Sequence, residues 1–384
     1  MVLFCFFCRI LCITPIYIMS ISRFLLIIIV FIIFIHVMLR LLDRRQKILK
    51  MQAVVEGMTS TDEVAALQKA ASKVSITNII AGRSMLPLRE YCIKASYSSA
   101  FSGTYVSAYM IKYVLHRGCR YLDIPVFYSA TDNIPYVAHI TDDKAIDSAS
   151  DNKIPLDTVF NAIASNAFAS SNSPNFGEPL FVELRIYPDK NSVVYDKVAA
   201  LIQANFSSKR YADSTTGKAI TIDGATYIND SNKNAPLMGS ALFIMNKTIN
   251  PQYASSSQDL ANCINGEVGG STFQLQTYDT LKGQTTNPPN IKNDFKSTNV
   301  IVYNTVLSDL ATLYPHPDII NTVVNYGIQV TTYKFYARDD MLNRYEMLFD
   351  QYKSGFVPMA YAISYLSTMK TDVNAKKMAI GPFA

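Results

Sequence analysis

The chain has 384 residues, 49% of them hydrophobic, with 15 Gly and 16 Pro; this is enough for one large core or two modest ones and excludes wholesale disorder. The formal charge of +5 sits at one end: residues 1–50 hold Arg9, Arg23, Arg40, Arg44, Arg45, Lys47 and Lys50 against Asp43 alone, a local +6 that leaves −1 for residues 51–384. A near-neutral body lacks the concentrated basic face of a phosphate-backbone binder, so nucleic acid is set aside as a partner.

In chain order, residues 1–23 are apolar but broken by Arg9 and Pro15. They read as a second span, an interfacial segment, or sequence upstream of a start at Met19. The run "RFLLIIIVFIIFIHVMLR" then places sixteen residues, 24–39, between two arginines, with His36 the one polar side chain. At ~1.5 Å per residue the span nearly matches a hydrocarbon core of ~30 Å. A transmembrane helix is expected there, and no small-residue cleavage site follows it as a signal peptide would require. Five basic residues at 40–50 place the body on the cytosolic side by the positive-inside rule. Residues 40–85 read as a helical juxtamembrane stalk, broken near 57–61, with an N-cap signature at Thr61-Asp62-Glu63.

From residue 86 onward short apolar runs alternate with helical periods. Strands are expected over 91–96, 120–127, 136–139, 180–186, 241–247, 273–278, 328–335 and 356–361. Helices are expected over 105–116, 156–168, 193–205, 302–313 and 340–352. Eight strands with intervening helices predict a parallel (β/α)8 barrel over residues 86–366, with a tail at 367–384. The polar stretches 207–236 and 282–297 read as an insertion and a long loop. The glycine-rich "INGEVGGST", 264–272, lacks the spacing of a phosphate loop and reads as a turn.

Cys92, Cys119 and Cys263 are dispersed through the body without metal-ligand spacing, which argues against zinc and suits a reducing compartment. His116 falls at a helix end, where it faces the C-terminal dipole. His316, between two prolines, reads as a loop residue, and Asp142 and Asp143 as solvated turn acids.

The ordered set "LPLREYCIKASYSSAFSG … VLHRGCRYLDIPVF … IPYVAHITD … PLFVELRI" resembles the X region of the phosphatidylinositol-specific phospholipase C superfamily. "VYNTVLSDLATLYPHPDI", "NYGIQVTTYKF" and "SGFVPMAY" are similar to its Y half, which gives an X-like half at 86–206 and a Y-like half at 237–362. The resemblance implies a phospholipase C-like TIM (β/α)8 barrel acting on phosphodiester lipids through two histidines, one general base and one general acid. The second falls on His139, read either as the surviving acid or as a strand-end residue bonded to a loop. The first falls on Tyr97, whose phenol, with an ordinary pKa near 10, is a poor base.

In the eukaryotic branch of the family, which the resemblance implies uses calcium, the metal-ligand positions fall on Ser98, Asp123, Pro125 and Arg185. One carboxylate beside a guanidinium makes a poor cage for a cation that takes six or more oxygens, and Arg185 is expected to pair with Asp123 instead. The leading expectation is a membrane-anchored, catalytically impaired barrel that serves as a binding or structural protein at a membrane surface and holds no cofactor. Its partner is membrane lipid, in one version a phosphoinositide headgroup. The alternative is an active phosphoric diester hydrolase that would use calcium. A place in the internal membrane of a virus particle is a further expectation, by analogy of composition alone.

Overall fold

The computed structural model describes residues 59–103, 105–128, 131, 133–138, 153–229, 237–270, 273–277, 300–304 and 316–379, together with Val30, Phe31, Ile35, His36 and Met38. The chain divides into two units, 1–58 and 59–384. In the first, those five positions are helical and exposed. Among the described residues no helix is long and apolar enough to cross a membrane. The remainder of the apolar run 24–39, and the segments 1–23 and 40–58, lie outside the described residues.

The second unit opens on helix α1, Ser60–Ala70. Its N-cap is Thr59 rather than the expected Thr61, because Asp62 completes a capping box with Thr59: the Thr59 amide donates to Asp62 Oδ2 at 2.8 Å and the Asp62 amide to Thr59 Oγ1 at 3.3 Å. Val64 is buried in the main core, so residues from Thr59 onward are part of the barrel unit.

The sheet is assembled from β1 Tyr91–Ser96, β2 Tyr121–Tyr128, β3 Pro135–Ala138, β4 Lys153–Pro155, β5 Leu180–Tyr187, β6 Ala241–Asn246, β7 Gly266–Val268, β8 Phe273–Thr277, β9 Val300–Asn304, β10 Val330–Tyr333 and β11 Phe356–Pro358. Its order is β11-β1-β10-β9-β8-β7-β6-β5-β2-β3-β4, and β1 also pairs with β2 through Ala95↔Tyr121 and Ser96↔Leu122. Every pairing among β1, β2 and β5 to β10 is parallel.

Helices α2 Ala108–His116, α3 Leu156–Ala167, α4 Ser192–Phe206 and α7 Asp340–Tyr352 alternate with the strands as their periodicity predicts, with two one-turn helices, α5 Tyr253–Ser256 and α6 Gln258–Ala261, between β6 and β7. The long helix α8, Met359–Ala379, ends the described chain. This is an α/β barrel in which β1, β2, β5, β6 and β10 are buried on both faces. On β5, Leu180, Val182, Leu184 and Ile186 face the helices while Phe181 joins an inner cluster with Tyr91, Ile93, Tyr121 and Leu242.

Several expectations are corrected. Residues 136–139 do not supply a parallel barrel strand; β3 turns back antiparallel on β2, Phe127 opposite Tyr136. The strand expected over 356–361 stops at Pro358, lies antiparallel to β1, and becomes helix at Met359. The helix expected from Val302 begins instead as β9, whose run of β-branched residues and Tyr303 pairs with β8 and β10; residues 305–315 lie outside the described residues. The glycine-rich stretch read as a turn contains β7, and only four residues separate Val268 from Phe273, too few for a crossover helix. The barrel therefore lacks the regular eightfold alternation that was expected.

The polar insertion closes the end of the barrel where the strands begin. Its Tyr211, Ile222 and Ile228 are buried in the inner cluster with the adjoining Leu237, and the Leu88 and Arg89 amides donate to the Thr226 and Gly224 carbonyls. Arg120 of the Gly-Cys-Arg motif is also structural: it donates to the Ala167 carbonyl at 3.0 Å, to Asn175 Oδ1 at 3.0 Å and to the Ser173 hydroxyl.

Candidate functional site

Alternation along the parallel strands aims a small set of polar side chains into the barrel where the strands end. Asp123 comes from β2, Glu183 and Arg185 from β5, and Asn246 from the last position of β6. Tyr97 directly follows β1, and Lys334 directly follows β10. In strands otherwise apolar, a charge at every second position of "VELRI" marks one face turned away from the hydrophobic layer.

Asp123 and Arg185 form a two-point ion pair. Arg185 Nε donates to Asp123 Oδ1 at 2.7 Å, and its terminal nitrogen donates to Oδ2 at 2.8 Å. The Ser98 amide donates to the same Oδ2 at 2.9 Å, and the Ser98 hydroxyl accepts from Arg185 at 3.2 Å. The Tyr97 ring lies under the Arg185 guanidinium, 5.1 Å from centroid to Cζ, with Lys334 Nζ 6.0 Å from the same centroid. Tyr97, Asp123 and Arg185 are each 1% exposed, so these three residues meet in a buried cluster. Burial works against the charge on Arg185, but Asp123 outweighs it and the guanidinium stays protonated well beyond its ordinary range. Residue 139, the second expected histidine position, lies outside the described residues, as do Asp142 and Asp143.

Glu183 lies one layer deeper. Its oxygens accept from Asn246 Nδ2 at 2.8 Å and from the Tyr121 hydroxyl at 3.0 Å. Burial, reinforced by the charge of Asp123, pushes its carboxyl up to about 7, while Arg185 acts in the opposite direction. Sequence reading assigned no role to Glu183, Asn246 or Lys334. The signal for the first was its i, i+2 relation to Arg185; for Lys334 it was a lone cation in the apolar run "VTTYKFY" at the same parity as Thr332.

Ser98 occupies the left-handed region at φ 42°, rare for a residue with a Cβ. Around it the Ser99 amide donates to the Asp123 carbonyl at 2.8 Å, the Asp123 amide donates to Ser99 Oγ at 3.0 Å, and the Ser96 and Ser99 hydroxyls lie 2.5 Å apart. This turn ties the end of β1 to β2 and brings the Ser98 amide to the Asp123 carboxylate.

These side chains do not fit a calcium ion. Both oxygens of Asp123 are engaged by Arg185 and Ser98, Pro125 offers no side-chain ligand, and Arg185 brings positive charge to the remaining position. No group of three or more His, Cys, Asp or Glu suited to a metal occurs among the described residues. His316, read as a loop residue, is part of a separate structural contact. Its Nδ1 lies 2.8 Å from Asp339 Oδ1, and its Nε2 accepts the Lys334 amide at 3.0 Å, which leaves neither nitrogen for chemistry.

Residues 85–218 match the family described as phosphatidylinositol-specific phospholipase C, X domain. Among solved structures, L. pealei PLC21 is 14% identical with a TM-score of 0.52, and S. officinalis PLC21 is 14% identical with a TM-score of 0.53. Each alignment covers 72% of this chain and 37% of the other, so the chain spans little more than a third of their length. At that identity the likeness shows a common fold. Comparison with curated proteins gave no match.

Proposed function

We propose that this chain, which through residues 85–218 belongs to the phosphatidylinositol-specific phospholipase C-like superfamily, is a catalytically inert barrel that works as a binding or structural protein at a lipid surface. The observation that carries the reading is the Tyr97–Asp123–Arg185 cluster: side chains at the positions of a base and of two metal ligands are spent on one another and are each 1% exposed. Phosphodiester cleavage needs a proton acceptor beside the attacking hydroxyl and a means of stabilising the charge that develops. A phenol, with an ordinary pKa near 10, is a poor acceptor at neutral pH. The apolar run 24–39 between Arg23 and Arg40 supports attachment to a membrane through that segment, and the family supports a lipid partner.

The test uses the full chain in detergent micelles or reconstituted into vesicles containing phosphatidylinositol. No inositol phosphate is released, with or without calcium, while the chain remains with the vesicles on flotation. Turnover that disappears in His139→Ala overturns the inert reading and establishes a hydrolase. Binding of soluble inositol phosphate then separates a barrel that takes a headgroup from one that uses only its outer surface.

A further inference from the structure

Helix α1 touches the barrel at two heights. At its first turn Glu63 Oε2 accepts the Ser102 hydroxyl at 2.6 Å and the Tyr105 amide at 3.4 Å. Gly103 closes over the same carboxylate, for a Cβ built there would stand 3.8 Å from both Glu63 oxygens. Val64 and Leu67 pack into the core alongside. Just beyond the helix, Arg117 at the end of α2 donates to the Ser72 carbonyl and the Ser75 amide donates to Asp350 Oδ1 at 2.9 Å. The helix thus runs from the site-bearing end of β1 to the turn that precedes β2.

The turn gripped by Glu63 is the one that carries the site. After Tyr97 and Ser98 it folds back on itself through Phe101 N–H to the Ser98 carbonyl at 2.8 Å, Ser102 N–H to the Tyr105 carbonyl at 2.9 Å and Ser107 N–H to the Ala100 carbonyl at 2.8 Å. Glu63 therefore holds Ser102, the backbone joins Ser102 to Phe101, and Phe101 is hydrogen-bonded to Ser98, which in turn contacts both Asp123 and Arg185. Ser98 holds a positive φ there, a conformation that persists only when its surroundings impose it. Thr59, where the barrel unit begins, lies four residues from Glu63, so α1 joins the preceding chain to the turn.

We propose that α1 is a strap. Docked through Glu63, it holds residues 98–103 and 105–107 in the conformation that keeps Arg185 buried against Tyr97; released, it frees that turn and opens the guanidinium to a phosphate-bearing anion. The regulation concerns the same site, and its use for headgroup binding rests on the reading given above.

Amide hydrogen exchange of the full chain in detergent tests this, comparing the parent with Glu63→Ala and Ser102→Ala, which remove the contact from either side. Loss of a hydrogen bond to a charged group is expected to speed exchange of residues 98–107 by about tenfold in both variants while residues 108–116 of α2 keep their protection. Added inorganic phosphate or inositol phosphate then slows the exchange of that turn in the variants. Unchanged exchange in both variants overturns the strap, and so does equal acceleration in α2, which would make the contact a general support of the fold. A turn that loosens without responding to either anion overturns the opening of Arg185, whereas one that responds to inorganic phosphate but not to inositol phosphate keeps the strap and defeats only the headgroup reading.

Discussion

Arg185 and Asp123 meet through two hydrogen bonds of 2.7 and 2.8 Å inside the barrel, each residue 1% exposed. Taking two ions out of water costs several kcal/mol apiece, a cost that geometry this close and the extra hydrogen bonds from Ser98 offset. Removing one partner strands the other. Arg185→Met is expected to lower unfolding free energy by about 3–5 kcal/mol, and Asp123→Leu by a similar amount, while the double substitution costs much less than their sum. Chemical denaturation of the four proteins measures the coupling; additive losses would mean that the two charges do not depend on each other.

Calcium gives a second prediction. A site with a dissociation constant of about 10 μM would stabilise the barrel by about 2.7 kcal/mol at 1 mM calcium, a hundredfold excess over that constant. With Asp123 held by Arg185, no shift of the melting midpoint between 1 mM calcium and chelator is expected. A rise of several degrees that is lost in Asp123→Asn would show a cation bound among these residues.

The sequence made the ion pair legible because one cation and one carboxylate fell on inward positions of neighbouring strands, with no room in an apolar interior for either to stay alone. Glu183 was harder to interpret, since a single acid in "VELRI" does not reveal that Tyr121 and Asn246 will hydrogen-bond it. β7 was missed because Gly266 and two further glycines concealed a three-residue strand, and β9 because "VIVYNTVL" satisfies a helical period as well as an extended one. The insertion reads as polar loop by composition. Its buried apolar residues Tyr211, Ile222 and Ile228 are far apart in sequence, and only the fold gathers them, with the adjoining Leu237, beneath the barrel.

Gly355 is required by close approach rather than by backbone conformation. A Cβ there would stand 2.6 Å from Asn175 Nδ2, 2.7 Å from Glu178 Oε2 and 2.9 Å from the Gly118 carbonyl. None of these can retreat cheaply: Asn175 is tied to Arg120, Glu178 accepts the Ser354 hydroxyl at 2.8 Å, and the third is backbone. Gly355→Ala is therefore expected to destabilise by about 1–3 kcal/mol. Gly82→Ala, with nothing within 4 Å of its Cβ, should be near neutral; equal denaturation midpoints for the two variants would contradict the packing argument.

Buried groups give the stability a pH dependence of opposite signs, the Glu178 and Glu183 carboxyls acting in one direction and His316 in the other. Burial pushes the Glu178 carboxyl up to about 7 from an ordinary 4.5, so the folded state takes up a proton that the unfolded chain releases. Its contribution is fully present below about pH 4.5 and is lost as pH rises to about 7, a change of at most about 3 kcal/mol. Burial lowers His316 below its ordinary 6.5 despite the neighbouring Asp339, and the Lys334 amide needs its Nε2 unprotonated. That group therefore costs stability as pH falls through 6.5. Glu178→Gln should reduce the decline between pH 4.5 and 7, leaving the part carried by Glu183, while His316→Gln should flatten the loss on the acid side of 6.5. Denaturant unfolding of the parent and both variants at pH 4.5, 6 and 7.5 reads the two slopes separately. A Glu178→Gln profile parallel to the parent's would mean that this carboxyl titrates no differently folded than unfolded, Arg120 and Ser354 offsetting the whole cost of its burial.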